Sequence, residues 1–322
     1  MSNYFDNKEL FLHPKVSQYG NHMVMTNVTK PTKKKYWNID TRFHDDYDHY
    51  SQTTVGRNIN SYTCTLSQPI NDVKSIKVNN VELPISFYNI SANLGNNVMQ
   101  MNNTLIKIPD GNYSTATLKT TFNSVLNTAF PNVLFDISNN GNPYSSFKNS
   151  TGSAITINFA VKPSNTCSAI TNAGTGTATA DFDKFHIKSK LGWLLGFRNI
   201  SYSVSNGATL LSESVIDINT PRYLYLVLDE FINGNPNSFV SQLPTSIVNK
   251  NILAKICIDY SHYDFGKIMT ANEYNGLLLS DTRTYIGKVN LQKLKVQLVN
   301  EYGIAVHLNG MDFSFCLEIV YE

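Results

Sequence analysis

Groups that bind metal ions cluster near residue 45. His44, Asp45, Asp46, Asp48 and His49 place two imidazoles and three carboxylates within six residues. Imidazole and carboxylate side chains are ligands for zinc and for harder divalent cations. Consecutive residues of an extended loop point in different directions, however, so these side chains do not converge on one ion. We therefore interpret the cluster as a hydrated loop and assign no metal-ligating residue.

A pair of adjacent carboxylates, Asp229 and Glu230, follows an apolar run. Two carboxylates that flank a substrate act as acid and base in glycosidases. Neighbouring residues at the end of a strand face opposite sides, so this local pair cannot flank one substrate. The sequence therefore gives no reason to assign an acid–base pair here.

Other catalytic motifs are missing from the sequence. There is no Gly-x-Ser-x-Gly and no His-Glu-x-x-His, and the seven histidines are scattered. Ala173–Thr177 contains two glycines but lacks the Gly-Lys-Ser/Thr ending of a phosphate-binding loop. His186 lies beside an apolar turn and is interpreted as a histidine at the edge of the core. We predict that the chain is not an enzyme, with no catalytic, cofactor-binding or metal-binding residues and no cofactor.

The composition excludes several classes of partner. The chain has 322 residues, a formal net charge of +2 and only 16% charged residues, against about 25% in an average soluble domain. Its polar surface is therefore built from Asn, Ser and Thr, which suits close packing against other subunits. The near-neutral balance argues against a large nucleic-acid-binding surface. The basic run Lys30–Lys35 is interpreted as a solvated tail, or as an arm that orders only against a neighbouring subunit.

Cysteine spacing and hydropathy indicate whether the chain is secreted or inserted into a membrane. Four cysteines lie far apart without a Cys-x-x-Cys pair, which indicates free thiols. The sequence begins without a basic and then apolar signal segment, and it has no apolar run long enough to span a bilayer. We expect no secretory route and no transmembrane segment.

Most of the chain alternates apolar and polar residues with the period of a β-strand. The C-terminal runs Leu294–Leu298 and Phe313–Ile319 show it most strictly, and Asn309-Gly310 between them predicts a tight reversal. Pro221–Leu228 is apolar on both faces and predicts a central strand. Eight or more such runs predict an all-β fold, a β-sandwich or barrel, in one domain.

The sequence predicts only one substantial helix. It starts at Ser114 or Thr115, repeats apolar residues every three or four positions and stops at Pro131. Ser189 is predicted to cap a further single turn that ends at Gly196. Residues 138–180 are rich in Asn, Gly, Ser and Thr, so we expect a loop-rich excursion with too little apolar area for a second core.

Six segments follow one another in a familiar order: Asn38–Phe43, Val73–Pro84, Ile108–Tyr113, Leu191–Arg198, Pro221–Leu226 and Leu308–Phe315. In that order they resemble the jelly-roll minor capsid and penton proteins of nucleocytoplasmic large DNA viruses and their relatives. The resemblance spans about residues 38–322. It implies a single jelly-roll β-sandwich with long loop insertions, because the chain is too short for the double jelly roll of the major capsid protein. The domain over 46–322 would follow an extended or flexible arm over 1–45.

The resemblance also implies a function. The chain is expected to be a capsid structural protein of an icosahedral virion, either the penton or another minor component, made in the host cytoplasm. It would assemble with copies of itself, as a pentamer if it is the penton, and with the major and other minor capsid proteins. The alternative is a host-attachment or carbohydrate-binding module of a virion, whose exposed Tyr144, Tyr202, Tyr260 and Tyr263 would stack on sugar rings.

Overall fold

The computed structural model describes residues 31–45, 61–138, 141–161, 187–231 and 251–322. Within this part the strands are β1 Lys33–Asp40, β2 Tyr62–Pro84, β3 Val98–Met101, β4 Thr104–Lys107, β5 Val133–Ile137, β6 Tyr144–Asn149, β7 Ile155–Asn158, β8 Ser201–Val204, β9 Thr209–Val215, β10 Tyr223–Asp229, β11 Ile252–Cys257, β12 Ile268–Asn272, β13 Leu278–Ser280, β14 Arg283–Asn300 and β15 Ser314–Tyr321. The α-helices are α1 Thr115–Ala129 and α2 Leu191–Leu194. The protein is mostly β with curled antiparallel sheets, consistent with a jelly-roll β-sandwich, and the predicted all-β fold class is confirmed.

The largest sheet has eight strands in the order β1-β15-β2-β14-β10-β11-β13, with β12 also paired to β2. The 23-residue β2 is its central element, because its first half pairs with β14, its second half with β15 and its end with β12. Register shifts interrupt the β2–β14 and β2–β15 pairings. Such irregularities bend a strand and increase its twist, so the sheet curls.

One hydrophobic core fills the curled sheet. Ile39 of β1 and Leu317 of β15 belong to the same buried cluster as Leu226 of β10 and Ile256 of β11, although these strands lie far apart in the sheet order. The edge strand β13 returns to β2, where the Ser280 hydroxyl accepts a hydrogen bond from the backbone N–H of Val78 at 3.1 Å. The two ends of the sheet therefore face each other across one apolar interior.

The strand patterns noted in the sequence are confirmed around this core. β10 lies between β14 and β11, as its two apolar faces predicted. Its leucines enter the main core, while Tyr225 and Val227 are buried on the other face with Ile252 and Val299. Asn309 and Gly310 both have positive φ, 52° and 80°, and the Met311 N–H closes the turn on the Leu308 carbonyl at 3.0 Å.

The predicted helix is also confirmed. α1 is preceded by Ser114, whose side chain accepts a hydrogen bond from the Thr117 N–H while the Thr117 hydroxyl accepts one from the Ser114 N–H. This reciprocal capping satisfies two donors at the helix start. Leu118, Phe122 and Leu126 form its fully buried stripe. Phe122 stacks on Phe135 of β5 at 4.4 Å between ring centroids, which places α1 against the inner face of the small sheets.

A second hydrophobic core, drawn from Ile90 to Ile218, lies outside the large sheet. It is enclosed by α1, α2, a four-stranded sheet β4-β3-β7-β8 and a three-stranded sheet β5-β6-β9. Phe147, Ile155 and Phe159 contribute to it, so the expectation that 138–180 adds no apolar core is wrong for the described residues of that range. Residues 162–180 lie outside the described residues.

The α2 turn differs from its prediction in one detail. Lys190, not Ser189, precedes the helix, and Ser189 ends a short 3-10 turn instead. Gly196 closes the segment as predicted, with φ +95°. A Cβ at Gly196 would lie 2.1 Å from the Ser214 carbonyl oxygen, so only glycine lets this segment approach β9.

The last three residues of the basic run, Lys33–Lys35, belong to an ordered strand, so the interpretation of Lys30–Lys35 as a solvated tail, or as an arm that orders only against a neighbouring subunit, is wrong for these three. Lys33–Asp40 pairs along its whole length with β15 of the same chain. The strand is mostly exposed, with Ile39 buried, and Lys34 forms an ion pair with Glu318 at 2.6 Å. Residues 1–30 of the predicted arm and residues 46–60 lie outside the described residues, and the division into an arm over 1–45 and a single domain over 46–322 stays a prediction.

We predict that Gly196→Ala destabilises the protein by about 3 kcal/mol, because the new methyl group meets the Ser214 carbonyl and the positive φ adds strain. Gly207→Ala is the matched control. Gly207 also has a positive φ, +77°, but a Cβ there meets nothing within 4 Å, so it should cost only about 1 kcal/mol. Urea unfolding measures the free energy of unfolding of both variants. Equal losses of stability would contradict the close approach of Gly196 to the Ser214 carbonyl.

Candidate interaction surface and pocket

Of the histidine and carboxylate cluster near residue 45, which is interpreted from the sequence as a hydrated loop, only His44 and Asp45 lie among the described residues. His44 is buried, with its ring edge-on to Tyr62 at 5.5 Å between centroids. The Asp45 carboxylate accepts a hydrogen bond from the Thr65 backbone N–H at 3.0 Å. Asp46, Asp48 and His49 lie outside the described residues, as do His186 and Ala173–Thr177. Among the described residues, no group of three or more His, Cys, Asp or Glu side chains could hold a metal ion.

The Asp229–Glu230 pair is divided between two environments. Asp229 accepts a hydrogen bond from the Phe231 N–H at 2.9 Å at the surface. Glu230 is 5% exposed, and its Oε1 accepts from Arg283 Nη1 at 2.5 Å and from the Tyr285 hydroxyl at 3.0 Å. Burial raises the pKa of Tyr285, and the nearby Glu230 carboxylate raises it further. Glu230 and Arg283 thus form a buried ion pair, while Asp229 lies at the surface.

Most of the tyrosines named for sugar stacking are used inside the protein. The Tyr202 hydroxyl donates to Glu213 at 2.8 Å and accepts from two backbone N–H groups. The Tyr260 hydroxyl donates to the Pro221 carbonyl at 2.8 Å, and burial raises the pKa of Tyr260. Tyr263 packs against the main core, and Tyr144 is half-buried on β6. These rings do not form the exposed set on which the carbohydrate-binding hypothesis was based.

The outward face of the β5-β6-β9 sheet carries apolar side chains. Leu134, Leu211 and Val215 are 53%, 58% and 41% exposed. Their cross-strand partners Lys148, Ser146 and Tyr144 alternate with buried Phe147 on β6, so all three apolar residues lie on the side opposite the second core. We call this surface the outer sheet face. It is partly apolar, and a register shift interrupts its β6–β9 pairing.

A second group of exposed apolar side chains lies on the strands β12, β13 and β14. Ile268, Leu279 and Ile286 are 60%, 58% and 94% exposed, and Tyr274 in the turn between β12 and β13 is fully exposed. Ile286 lies where the β14–β2 register shifts between Thr284 and Val289, so the irregular strand presents it outward. None of these side chains contributes to a described core.

A pocket of about 300 Å³ lies where the segment after β2 meets the segment between β14 and β15. It is lined by Phe87, Tyr88, Ser91, Asn93, Leu94, Asp110, Val306, His307 and Asn309. The sequence contained one signal for it, the Pro109–Asn112 turn, but that turn predicted only a chain reversal. The pocket depends on the distant Val306–Asn309 segment, which sequence spacing could not place beside it.

Glu301 lies in a largely buried position beside the Asp217–Arg222 ion pair. Burial raises the pKa of the Glu301 carboxyl, while Arg222 opposes that shift and Asp217 adds to it. Burial raises the pKa of the nearby Tyr302 hydroxyl to about 12, and the Glu301 charge adds to this shift. Burial and a hydrogen bond with Tyr225 raise the pKa of Tyr223 to about 12, with a smaller contribution from Glu301. The charged form of Glu301 is therefore disfavoured in the folded protein.

No protein-family model and no curated protein matches this sequence. Among solved structures, the crystal structure of the selenomethionine-labelled mavirus penton protein is similar, with a TM-score of 0.41 and 10% sequence identity. The similarity covers 90% of this chain and 99% of that chain. A likeness this weak says nothing about function by itself. In the described part of the chain, no helix has the length and apolar character needed to cross a bilayer.

We predict that Arg283→Met lowers the free energy of unfolding by about 3 to 5 kcal/mol, because it leaves the Glu230 charge buried without its partner. Arg222→Met is the control, since its pair with Asp217 is exposed and should be worth less than about 1 kcal/mol. Adding Glu230→Leu to Arg283→Met should recover part of the loss. Denaturant unfolding measures all three, and an Arg283→Met loss no larger than that of the control would contradict a buried pair.

We predict that Glu301→Gln stabilises the protein at neutral pH. Because the folded pKa of Glu301 is raised, the native state holds this proton more tightly than the unfolded state does. Its contribution is then fully present below the unfolded pKa and is lost as pH rises through the folded pKa. The stability difference between Glu301→Gln and the wild-type chain should therefore grow from acid to neutral pH. Thermal unfolding across that range tests it, and a difference that shrinks with rising pH would contradict the burial of the charge.

Proposed function

We propose that this chain is a structural subunit of a viral capsid shell, the penton or another minor capsid protein, which contacts copies of itself and the major capsid protein. Two independent features support the proposal. The six ordered segments of the sequence resemble capsid proteins of this kind, and the fold is built from curled antiparallel sheets. The observation that carries it furthest is the outer sheet face, because it offers apolar area for which the described part of the chain has no use.

A group of exposed apolar side chains on one sheet face indicates more than a single exposed leucine does. Scattered apolar side chains are normal on a monomer, whereas a group on one flat surface marks a contact site. Burying a leucine side chain contributes about 1.5 to 3 kcal/mol. Leu134 and Leu211 are both more than half exposed, so covering them would contribute substantially to association. Lys148 and Thr209 lie between and beside them, which gives the mixed composition of interfaces between separately folded subunits.

The sheet edges formed by β1 and β5 are protected against pairing with a strand of another chain, which favours contact between subunits through sheet faces. Lys33, Lys34 and Lys35 are exposed on the edge strand β1, and lysines on an edge discourage pairing with another strand. On β5, Asn123 of α1 donates to the Phe135 carbonyl at 2.7 Å and accepts from its N–H at 2.9 Å. That edge is thus occupied by a side chain that mimics a neighbouring strand. Association through the outer sheet face leaves both protections in place.

The arrangement in a shell follows from symmetry. A subunit with five copies around a vertex would use two different surfaces, each meeting the other on the next copy, and the ring closes by rotation. The outer sheet face and the β12–β14 group are two such separate surfaces. The proposal places the chain in the virion with a structural and not an enzymatic role. No specific observation favours the carbohydrate-binding alternative, since Tyr202 and Tyr260 are engaged internally.

We predict that Leu211→Asp abolishes association of the chain, because a carboxylate on the outer sheet face would have to be desolvated in the contact. Ser203→Asp is the matched control, since Ser203 is an exposed strand residue on β8 in the other small sheet. Sedimentation velocity measures the oligomer of each variant, and circular dichroism checks that both fold. Unchanged association of folded Leu211→Asp would show that this face is not the contact.

A further inference from the structure

The pocket described above has a fixed framework. The Asn93 side chain donates through Nδ2 to the Ala305 carbonyl at 3.0 Å, and the Asn309 side chain donates to the Ser86 carbonyl at 2.6 Å. Asp110 Oδ1 accepts from the Ala92 N–H at 3.0 Å and from Asn97 Nδ2 at 2.9 Å. These bonds join the segment after β2 to the segment before β15. The rim of the pocket is therefore held in place before any ligand arrives.

The same hydrogen bonds limit which groups of a ligand the rim of the pocket can still bind. An amide side chain offers two donor hydrogens on nitrogen and an acceptor oxygen, and a carboxylate offers only acceptors. In Asn93 and Asn309 one of the two N–H donors is used, while their Oδ1 atoms accept no hydrogen bond from the described residues. Asp110 Oδ2 is likewise without a donor in the described part of the chain. The unused capacity therefore includes three acceptor oxygens, and Asp110 Oδ2 is the charged one among them.

Apolar side chains form part of the pocket wall. Phe87, Leu94 and Val306 line it and are 3%, 6% and 4% exposed. Tyr88 adds an aromatic ring at the wall, stacked on Phe265 at 6.1 Å between centroids. A ligand that matches both parts has a short apolar stem and ends in a cationic donor. Long basic side chains have this construction, since they bury a methylene stem and keep a charged head at a polar rim.

We propose that this pocket binds the side chain of a lysine or arginine presented by another protein chain. The ammonium or guanidinium group contacts Asp110 Oδ2 and the two Asn oxygens, and the stem lies on Phe87, Leu94 and Val306. A free polyamine has the same chemistry. Asp110 is the one acidic residue among the described residues that line the pocket, however, which suits a ligand with a single positive charge.

The first test uses probes on the full wild-type chain, with binding measured by isothermal titration calorimetry. A capped Gly-Lys-Gly peptide should bind, and a capped Gly-norleucine-Gly peptide, which keeps the stem and lacks the charge, should not. Glucose tests a neutral polyol and spermidine tests a free polyamine. The proposal is wrong if the lysine peptide does not bind, if the norleucine peptide or glucose binds as tightly, or if spermidine binds more than tenfold tighter.

The second test uses Asp110→Asn, which removes the charge and keeps an oxygen for Ala92 and Asn97. We expect the lysine peptide to bind about two- to fivefold more weakly to it, since Asp110 is exposed and exposed ion pairs contribute little. Asp281→Asn is the control, because Asp281 is exposed and outside the pocket. Equal affinity of Asp110→Asn and the wild-type chain would overturn the proposal.

Discussion

The pairing of the long strand β2 with several partners is the constraint on which this structure depends. Tyr62–Pro84 hydrogen-bonds to β14, β15 and β12, and these pairings bring residues from both ends of the chain to one sheet. Register shifts interrupt its pairing with β14 and with β15, and such irregularities bend a strand. The curl that results lets Ile39 and Leu317 share a core with Leu226.

The curl also determines where the rest of the chain can lie. Residues between β2 and β10 leave the large sheet and build a second core around α1 and the two small sheets. Because α1 covers the inner side of β5 and β6, the opposite side of that sheet is left as a surface. The pocket lies on the path between the two cores, where the chain leaves β2. Both candidate binding features thus follow from one excursion out of the large sheet.

Local signals in the sequence were enough for several elements. Ser114 and Pro131 mark the two ends of α1, and Asn309-Gly310 forms the predicted turn. The two apolar faces of Pro221–Leu228 correctly predict that β10 lies inside the sheet. Each of these depends on the conformational preferences or side-chain pattern of a few neighbouring residues. Such preferences act within one element and need no distant partner.

The features that the sequence did not reveal all depend on distant contacts. Phe147 and Phe159 lie in a stretch rich in Asn, Gly and Ser, and only their packing on α1 and Phe197 makes them a core. Asp110 was visible as a turn residue, but its place at a pocket depends on Val306–Asn309, nearly two hundred positions later. The outer sheet face required knowing that β9 pairs with β6 and not with a nearer strand.

The most direct test of a structural role is the position of this chain in intact virus particles, determined by electron cryo-microscopy. The account predicts that the chain is found in the capsid shell with Leu134 and Leu211 covered by a neighbouring subunit. A particle whose shell lacks the chain, or one in which the outer sheet face is bare to solvent, would contradict it.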